Sequence, residues 1–430
     1  MHSQKRDSRL PRLLVAILIG FAALSLVYSS VTRLKRGPDE PAHFIYIRSL
    51  ATTYSPPPIA HTQTHTEDSV ATHEGHQPPL YYALMAVPYA VLNACGVTGD
   101  TIWRVLRILG IGIGVFWIYW VYGLALEYFG RRSYALATAG FVALIPNAAY
   151  TAGVVNNDVL IALLFTWAMV PILRLFRTQE LTARDAGRLG FVMGLAILTK
   201  AQGLLLVPVL LIAAVAVCRR SGYANLTQIA RVVGVALGTA LLVSGWWFVR
   251  CRMLYGTFMP HSLYSPVLPH GMIDLLMVPE SAFGLVWLCS CNLYSYFWTP
   301  FWLVWKYVTW GYYFWPIFAL NLVLLAGLVP QFRRSPGDRR SLWLLIFTVF
   351  ATWATWLDYA LTVDRMSNLQ GRWLMPVAGA IGIILMLGAD GWLKSPRAKK
   401  IGLVAGAAVM LVANAAVIAC IVAYYASGAA

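Results

Sequence analysis

Two adjacent carboxylates mark the segment of the sequence best suited to chemistry. Asp39 and Glu40 stand between two prolines in PDEPAHF, residues 38–44, with His43 close behind them. The prolines restrict the backbone, so these side chains are held in place. A carboxylate held in this way can act as a general base or as a metal ligand. An ordinary solvated loop is the alternative interpretation of the same spacing.

A second segment, HEGHQPPLYY at residues 73–82, is rich in metal-ligating side chains. His73, Glu74 and His76 are of the types that bind Zn²⁺ or Mn²⁺, although their spacing matches no recognised metal motif. Glu74 and His76 are therefore candidate metal ligands, with a polar loop as the alternative. The sequence allows a divalent metal but does not require one. The two prolines and the aromatic residues after them, Tyr81 included, predict a helix on the membrane surface.

Three later segments each place charged side chains at an expected helix end. Asp158, in NND, opens an apolar run, where the helix dipole by itself favours a carboxylate. Lys200 lies at the tip of an expected hairpin, where it can either contact a lipid phosphate or simply extend to the membrane surface. Arg372, in QGRWLMP, and Arg365 suit phosphate because a guanidinium binds two oxygens at once.

Composition indicates that lipid is the solvent of this chain. Of its 430 residues, 59% are hydrophobic and 12% charged, against about 25% charged in soluble domains. The formal net charge of +16 comes from short basic clusters between apolar runs, so we expect no nucleic-acid partner. We predict an all-α polytopic membrane protein that forms a single transmembrane domain over residues 1–430.

The apolar runs predict about eleven transmembrane helices, and the basic clusters predict their direction. A hairpin at 188–218, with Gly203 at its tip, keeps the later basic clusters on the same side as the N-terminus. We therefore expect a cytoplasmic N-terminus in the inner or plasma membrane and an external active face. The first external loop, 32–102, contains amphipathic surface helices, and residues 250–312 form a second, aromatic-rich external region.

Taken together and in this order, these motifs resemble the GT-C superfamily, polytopic glycosyltransferases that use polyprenyl-phosphate sugars. The protein O-mannosyltransferases and the lipid A aminoarabinose transferases are similar members, as is a large group of bacterial membrane proteins. The resemblance covers most of the chain and includes GWWFVRCRMLYG, residues 245–256. The chain differs from the oligosaccharyltransferases of that superfamily because it has no large soluble C-terminal domain and no clear second metal-binding motif.

The resemblance implies an inverting transfer of sugar from a polyprenyl-phosphate donor to the hydroxyl of a glycan, lipid or protein acceptor. Asp39, with Glu40, would be catalytic, and Lys200, Arg372 and Arg365 would bind the donor phosphate. The remaining candidates belong to the acceptor site or its loops: His43, His73, His76, Tyr81 and Asp158. Ionisable residues are nearly absent from the middle of the predicted helices, which disfavours ion-coupled transport. A flippase for lipid-linked sugars and a non-enzymatic scaffold for envelope assembly stay as alternatives.

Overall fold

The structure is a computed structural model that describes residues 11–59, 74–178, 181–222, 226–260, 286, 294, 297–299, 310–334, 339–362 and 371–427. Across these ranges the chain is helical and has no strand, which confirms the predicted all-α class. The helices in chain order are α1 (Arg12–Val31), α2 (Glu40–Thr53), α3 (Leu80–Ala94), α4 (Gly99–Phe129), α5 (Arg132–Ala143), α6 (Pro146–Ala152), α7 (Asp158–Thr178), α8 (Ala183–Thr199), α9 (Leu206–Arg220), α10 (Leu226–Tyr255), α11 (Trp310–Ala326), α12 (Leu328–Arg334), α13 (Arg339–Thr362), α14 (Ala378–Trp392) and α15 (Pro396–Ala426). Two 3₁₀ segments, Ala201–Leu205 and Gly371–Val377, precede α9 and α14.

In the described ranges, nine helical segments are long and apolar enough to cross a membrane. The number is ten if α5 and α6, which meet at an angle of 69°, form one broken span. The expected number of about eleven is therefore not confirmed. Helix α8 has only 17 residues, fewer than the roughly 20 that a full crossing requires.

Helix α7 forms the centre of the bundle. Of its most apolar 18-residue window, 78% is buried inside the protein, against 17% for α15 at the periphery. A helix that is apolar on all sides is stable when other helices surround it, and α7 packs against α4, α8 and α9. Outer helices instead present apolar side chains outwards, as Leu242 and Met253 of α10 do. The N-terminal end of α7 is consequently held in a fixed position by its neighbours.

The predicted hairpin at 188–218 is present as α8, a 3₁₀ turn and α9. Its turn lies at the N-terminal end of α7, where Lys200 pairs with Asp158. At the other end of α7, the Arg220 side chain donates a hydrogen bond to the carbonyl of Phe176. Gly203 is required in the turn because an added Cβ would lie 2.5 Å from the backbone of α8. Both arms therefore run along the length of α7.

Helices also occupy both positions where the sequence predicts surface helices. Helices α2 and α3 are 14 and 15 residues long and pack against each other. The Tyr46 and Tyr82 rings stack between them with centroids 3.8 Å apart. On its other side, α3 exposes Leu84, Val87 and Val91, which gives it an apolar face suited to a membrane surface.

Most of the second predicted external region lies outside the described residues. Between residue 260 and residue 310 the structure describes only residues 286, 294 and 297–299. The aromatic-rich organisation predicted for residues 250–312 therefore stays a prediction.

The position of the hairpin predicts which end of the helix bundle faces the cytoplasm. A reporter that is active only in the cytoplasm should be active when fused after Arg220 and after Arg340, because the basic clusters at both positions favour that side. The same reporter fused after Tyr54, in the predicted external loop, should be inactive and is the control. External signals after both Arg220 and Arg340 would contradict the predicted direction.

Candidate active site

A cavity of about 440 Å³ opens where the N-terminal ends of α2 and α7 meet the turn between α8 and α9. One part of its wall is charged and the other is apolar. The charged part contains six side chains that the sequence nominates: Asp39, His43, Glu74, His76, Lys200 and Arg372. The apolar part is rich in aromatic rings, namely Trp247, Phe248, Phe258, Tyr359 and Trp373. This volume and lining are typical of a small-molecule site.

Asp39 stands at the start of α2 in a left-handed backbone conformation, with φ of 55°. Aspartate tolerates this region better than most residues. Its backbone carbonyl accepts the first hydrogen bond of the helix, from the His43 N–H at 3.0 Å. One side-chain oxygen accepts a hydrogen bond from the Arg372 guanidinium. About a quarter of the Asp39 side chain is exposed, so the carboxylate is accessible from the cavity.

Glu40 lies beneath the site, in a buried ion pair with Arg107 of α4. Its two oxygens each receive a hydrogen bond of 2.7 Å from that guanidinium. They also accept from the backbone N–H groups of Gly37 and Val155. Glu40 has 0% exposure and, of the described residues, is not one that lines the cavity. Arg107 donates its remaining hydrogen bonds to the carbonyls of Ser29, Thr32 and Arg33.

These contacts indicate that Glu40 supports the backbone around the cavity. All its oxygens face donors of the protein, and a buried carboxylate in such a pair is stable because it is fully satisfied. The pair joins the end of α1, the loop before α2 and the interior of α4. It therefore fixes the backbone that carries Asp39. A direct catalytic role for Glu40, as the sequence suggested, has no support from its position.

Asp158, at the first turn of α7, holds the two cations of the cavity. Lys200 Nζ lies 2.6 Å from one carboxylate oxygen, and Arg372 Nη1 lies 3.1 Å from the other. Only 1% of the Asp158 side chain is exposed. The capping oxygen of the helix comes from Asn156, which accepts from the N–H groups of Asp158 and Val159. The Asp158 carboxylate is thus not needed to cap the helix, and it positions Lys200 and Arg372.

Three side chains in the charged part could bind a divalent cation. Asp39, His43 and Glu74 each offer a ligand atom within 4.8 Å of the others. Tyr82 donates to Glu74 at 3.2 Å and lies 2.9 Å from His43 Nδ1. Since the phenol proton goes to Glu74, we assign the Nδ1 proton to His43 as donor to Tyr82. This leaves the lone pair on Nε2, which is buried without a hydrogen-bond partner in the described chain.

Burial keeps these groups neutral. It lowers the pKa of His43 below its ordinary value, although the Glu74 and Asp39 carboxylates oppose the shift. It raises the pKa of Tyr82 well above its ordinary value, so the phenol remains a donor. A neutral imidazole with an unpaired nitrogen fits a metal ligand. The three residues therefore suit a divalent cation, and His43 takes the role of metal ligand that the sequence analysis predicted for His76.

The other nominated residues differ in their relation to the cavity. His76 lines it but does not belong to the three-residue group. Tyr81 has 0% exposure and is not one of the described lining residues. His73 and Arg365 lie outside the described residues, so their assigned roles stay predictions.

Sequence reasoning missed several residues that complete the site. Tyr82 orients His43, and Asn157 lies 3.4 Å from the Tyr82 oxygen. The Trp373 ring lies 5.0 Å from Lys200 Nζ, and its carbonyl accepts from the Gln202 amide. Arg107 had the clearest signal, because an arginine inside an apolar run needs a buried partner. The others have no periodicity or spacing that separates them from neighbouring polar residues.

Comparison with known proteins supports the fold. Residues 76–247 match the family model of dolichyl-phosphate-mannose-protein mannosyltransferase. The structure is similar to ArnT from Cupriavidus metallidurans, solved with undecaprenyl phosphate, with a TM-score of 0.53, 17% identity and coverage of 93% of this chain and 63% of ArnT. It is also similar to the oligosaccharyltransferase AglB from Archaeoglobus fulgidus, solved with an inhibitory peptide and a dolichol-phosphate, with a TM-score of 0.50, 15% identity and coverage of 95% of this chain and 55% of AglB.

The chain thus spans less than two thirds of the length of these two proteins. No curated protein matches it by sequence. The structural likeness nevertheless extends over almost the whole of this chain, as the resemblance inferred from its motifs implies.

The Glu40 pair generates a prediction about stability. Arg107→Met should lower the free energy of unfolding by about 3–5 kcal/mol, because it leaves a buried carboxylate unpaired. The double variant Arg107→Met with Glu40→Leu should recover part of this loss. Arg104→Met, at an exposed position on the same helix, is the control and should change stability by less than about 0.5 kcal/mol. Chemical unfolding in detergent micelles measures all three, and equal stability of Arg107→Met and the control would contradict the role of the pair.

Proposed function

We propose that this chain, which has the fold of the GT-C glycosyltransferases, transfers a sugar from a polyprenyl-phosphate donor to an acceptor hydroxyl. The observation that carries the proposal is the position of the Asp39 carboxylate beside Arg372, in a cavity that Lys200 also lines and that has an aromatic-rich apolar part. A base, cations for a phosphate and apolar surface for a lipid are the groups that this reaction needs. The sugar and the acceptor remain open within this proposal.

Arg372 and Lys200 would bind the phosphate of the donor. Both point at Asp158 from the cavity wall, so their charges are placed before any ligand arrives. Arg372 also binds Asp39, and a phosphate that takes this guanidinium would replace the Asp39 carboxylate there. Donor binding would then free Asp39 at the moment when a base is needed. We propose this exchange as the link between donor binding and catalysis.

The chemical step is a displacement at the anomeric carbon with inversion. Asp39 accepts the proton of the acceptor hydroxyl while the oxygen forms a bond to this carbon. The bond between the anomeric carbon and the phosphate oxygen breaks, and its electron pair leaves with the polyprenyl phosphate. Arg372 and Lys200 stabilise the charge that develops there. Since phosphate is a good leaving group, no carboxylic acid has to protonate it, in contrast to glycoside hydrolysis.

A divalent cation, when bound, would be held by Asp39, His43 and Glu74 and would supply further positive charge for the donor phosphate. The hydrogen bonds of His43 and Glu74 with Tyr82 keep these two side chains in place. Arg372 occupies one Asp39 oxygen. Each Asp39 oxygen would therefore have one role at a time. It would either ligate the cation or accept the proton.

The apolar wall would receive the first isoprene units of the donor. Trp247 and Phe248 of α10 line the cavity, and the same helix exposes apolar side chains, Leu242 and Trp246 among them. A lipid could thus enter from the side of the bundle while a polar acceptor approaches from water. We propose that this end of the bundle is its external face, in accordance with the basic clusters at the opposite end.

Replacing the proposed base tests the reaction. Asp39→Asn should lower turnover by about 10²- to 10⁴-fold, because the amide keeps the shape and the left-handed backbone but cannot take a proton. Donor affinity should remain. The assay uses the purified chain with a panel of undecaprenyl-phosphate monosaccharides and measures released undecaprenyl phosphate. Asp100→Asn, an exposed carboxylate at the start of α4, is the matched control and should keep full activity.

Near-normal turnover of Asp39→Asn would refute its role as base. Donor binding without turnover in the unmodified protein, across the panel and with acceptor extracts, would instead support a transporter of lipid-linked sugars.

Replacing Arg372 tests the phosphate site. Arg372→Ala should raise the apparent KM for the donor at least tenfold, since it removes a charge and two hydrogen bonds. Arg372→Lys should recover only part, because an ammonium keeps the charge without the two-pronged geometry. Steady-state kinetics with a fixed acceptor concentration measures both. Arg252→Ala, on an exposed part of α10, is the control. Equal donor KM values for Arg372→Ala and this control would show that Arg372 does not bind the donor.

A further inference from the structure

The structure contains a second cavity, of about 370 Å³, at the opposite end of the bundle. Arg177, near the C-terminal end of α7, lines it, whereas Asp158 at the start of the same helix lies beside the first cavity. The helix has 21 residues and is therefore about 30 Å long. The two cavities are thus separated by roughly the thickness of a hydrocarbon core.

The charged groups of this second cavity are mainly positive. Arg131, Arg177, Arg339 and Lys399 line it, against a single carboxylate from Asp390 among the described residues. Lys399 pairs with that carboxylate. The other three basic residues of the lining, Arg131, Arg177 and Arg339, are exposed, and no second carboxylate lines the cavity among the described residues.

Tyr134 completes the fixed part of the wall. Its hydroxyl donates to Asp390 at 2.5 Å and accepts from Lys399 Nζ at 2.9 Å. The Tyr134 hydroxyl thereby joins the Asp390 and Lys399 side chains. The Lys399 charge is consequently neutralised by Asp390, and its position is set.

Among the described residues, the arginines of the lining have few partners. Within the described part of the chain, neither Arg131 nor Arg177 makes a hydrogen bond or an ion pair. Arg339 donates one hydrogen bond, to the carbonyl of Phe332 at 2.5 Å. Topology accounts for basic residues at this end of the bundle. It does not account for arginines from three separate segments of the chain that line a single cavity.

The remaining wall is apolar. Leu328, Phe332, Leu342 and Leu387 contribute to it, and Val329 of the same helix as Leu328 is 55% exposed on the surface beside it. A ligand with an anionic head and an apolar tail matches both parts of this lining. Guanidinium groups bind phosphate oxygens in pairs.

We propose that this cavity binds the phosphate group of an anionic membrane lipid, in the leaflet opposite the active site. The arginines contact the phosphate, and the acyl chains lie along the apolar wall and the exposed face of α12. This inference does not depend on the proposed transferase activity, because the two sites share no residue.

The test compares lipid retention by the purified full-length chain in native mass spectrometry. Phosphatidylglycerol should be retained with an affinity at least tenfold higher than phosphatidylcholine, because only the first carries a net negative headgroup. The double variant Arg177→Gln with Arg339→Gln should lose this preference. The matched control, Arg184→Gln with Arg231→Gln, removes two exposed arginines outside the cavity. It should keep the preference for phosphatidylglycerol, and this comparison distinguishes binding in the cavity from general attraction of an anionic lipid to a basic protein.

A separate measurement adds inorganic phosphate at millimolar concentration. Competition with phosphatidylglycerol supports a phosphate site, and binding of phosphate without any lipid preference would assign that site to a soluble ligand instead. Equal retention of phosphatidylglycerol by the cavity variant and the control would overturn the proposal. Circular dichroism checks folding, and the single variant Arg131→Gln provides the same comparison if the double variant does not fold.

Discussion

The buried carboxylate of Asp158 is the charge on which the candidate active-site cavity depends. It lies at the start of the central helix α7, where water does not reach it, and such a charge is stable only when it is paired. Its two partners come from distant segments, Lys200 from the hairpin turn and Arg372 from the 3₁₀ segment before α14. Arg372 in turn binds Asp39, immediately before α2. One electrostatic requirement therefore brings four segments of the chain to the same point.

Much of the fold could be predicted because lipid imposes simple rules on sequence. Apolar length identified most helices, and the distribution of basic residues correctly required a hairpin around Gly203. The number of crossings could not be predicted from the same rules. Helix α8 is too short to count by length, and the 69° bend before Pro146 divides one apolar run into two helices. Hydropathy measures how apolar a run is but contains no information on such a bend.

The site could be predicted in its residues but not in its pairings. Asp39, Lys200 and Arg372 all line one cavity, as their shared predicted face required. The pairing of both cations with Asp158, and of Arg107 with Glu40, could not be predicted because these partners are far apart along the chain. Charge pairing in a membrane bundle depends on which helices are neighbours, and one sequence without its fold does not specify this.

The late position of Arg372 in the chain has a consequence for biosynthesis. The segment Gly371–Trp392 is 72% buried in its most apolar window, and Gly379 and Gly382 allow it to pack closely against Leu124 of α4 and Val142 of α5. Its neighbours are synthesised and inserted earlier, so a nascent chain that ends before Gly371 contains an unfilled slot between them. In that chain Asp158 has Lys200 alone as its partner. The candidate active site is therefore completed late in insertion, when of the described helices only α15 has still to follow, and a truncated chain presents an incompletely neutralised buried charge that quality-control proteases of the membrane could recognise.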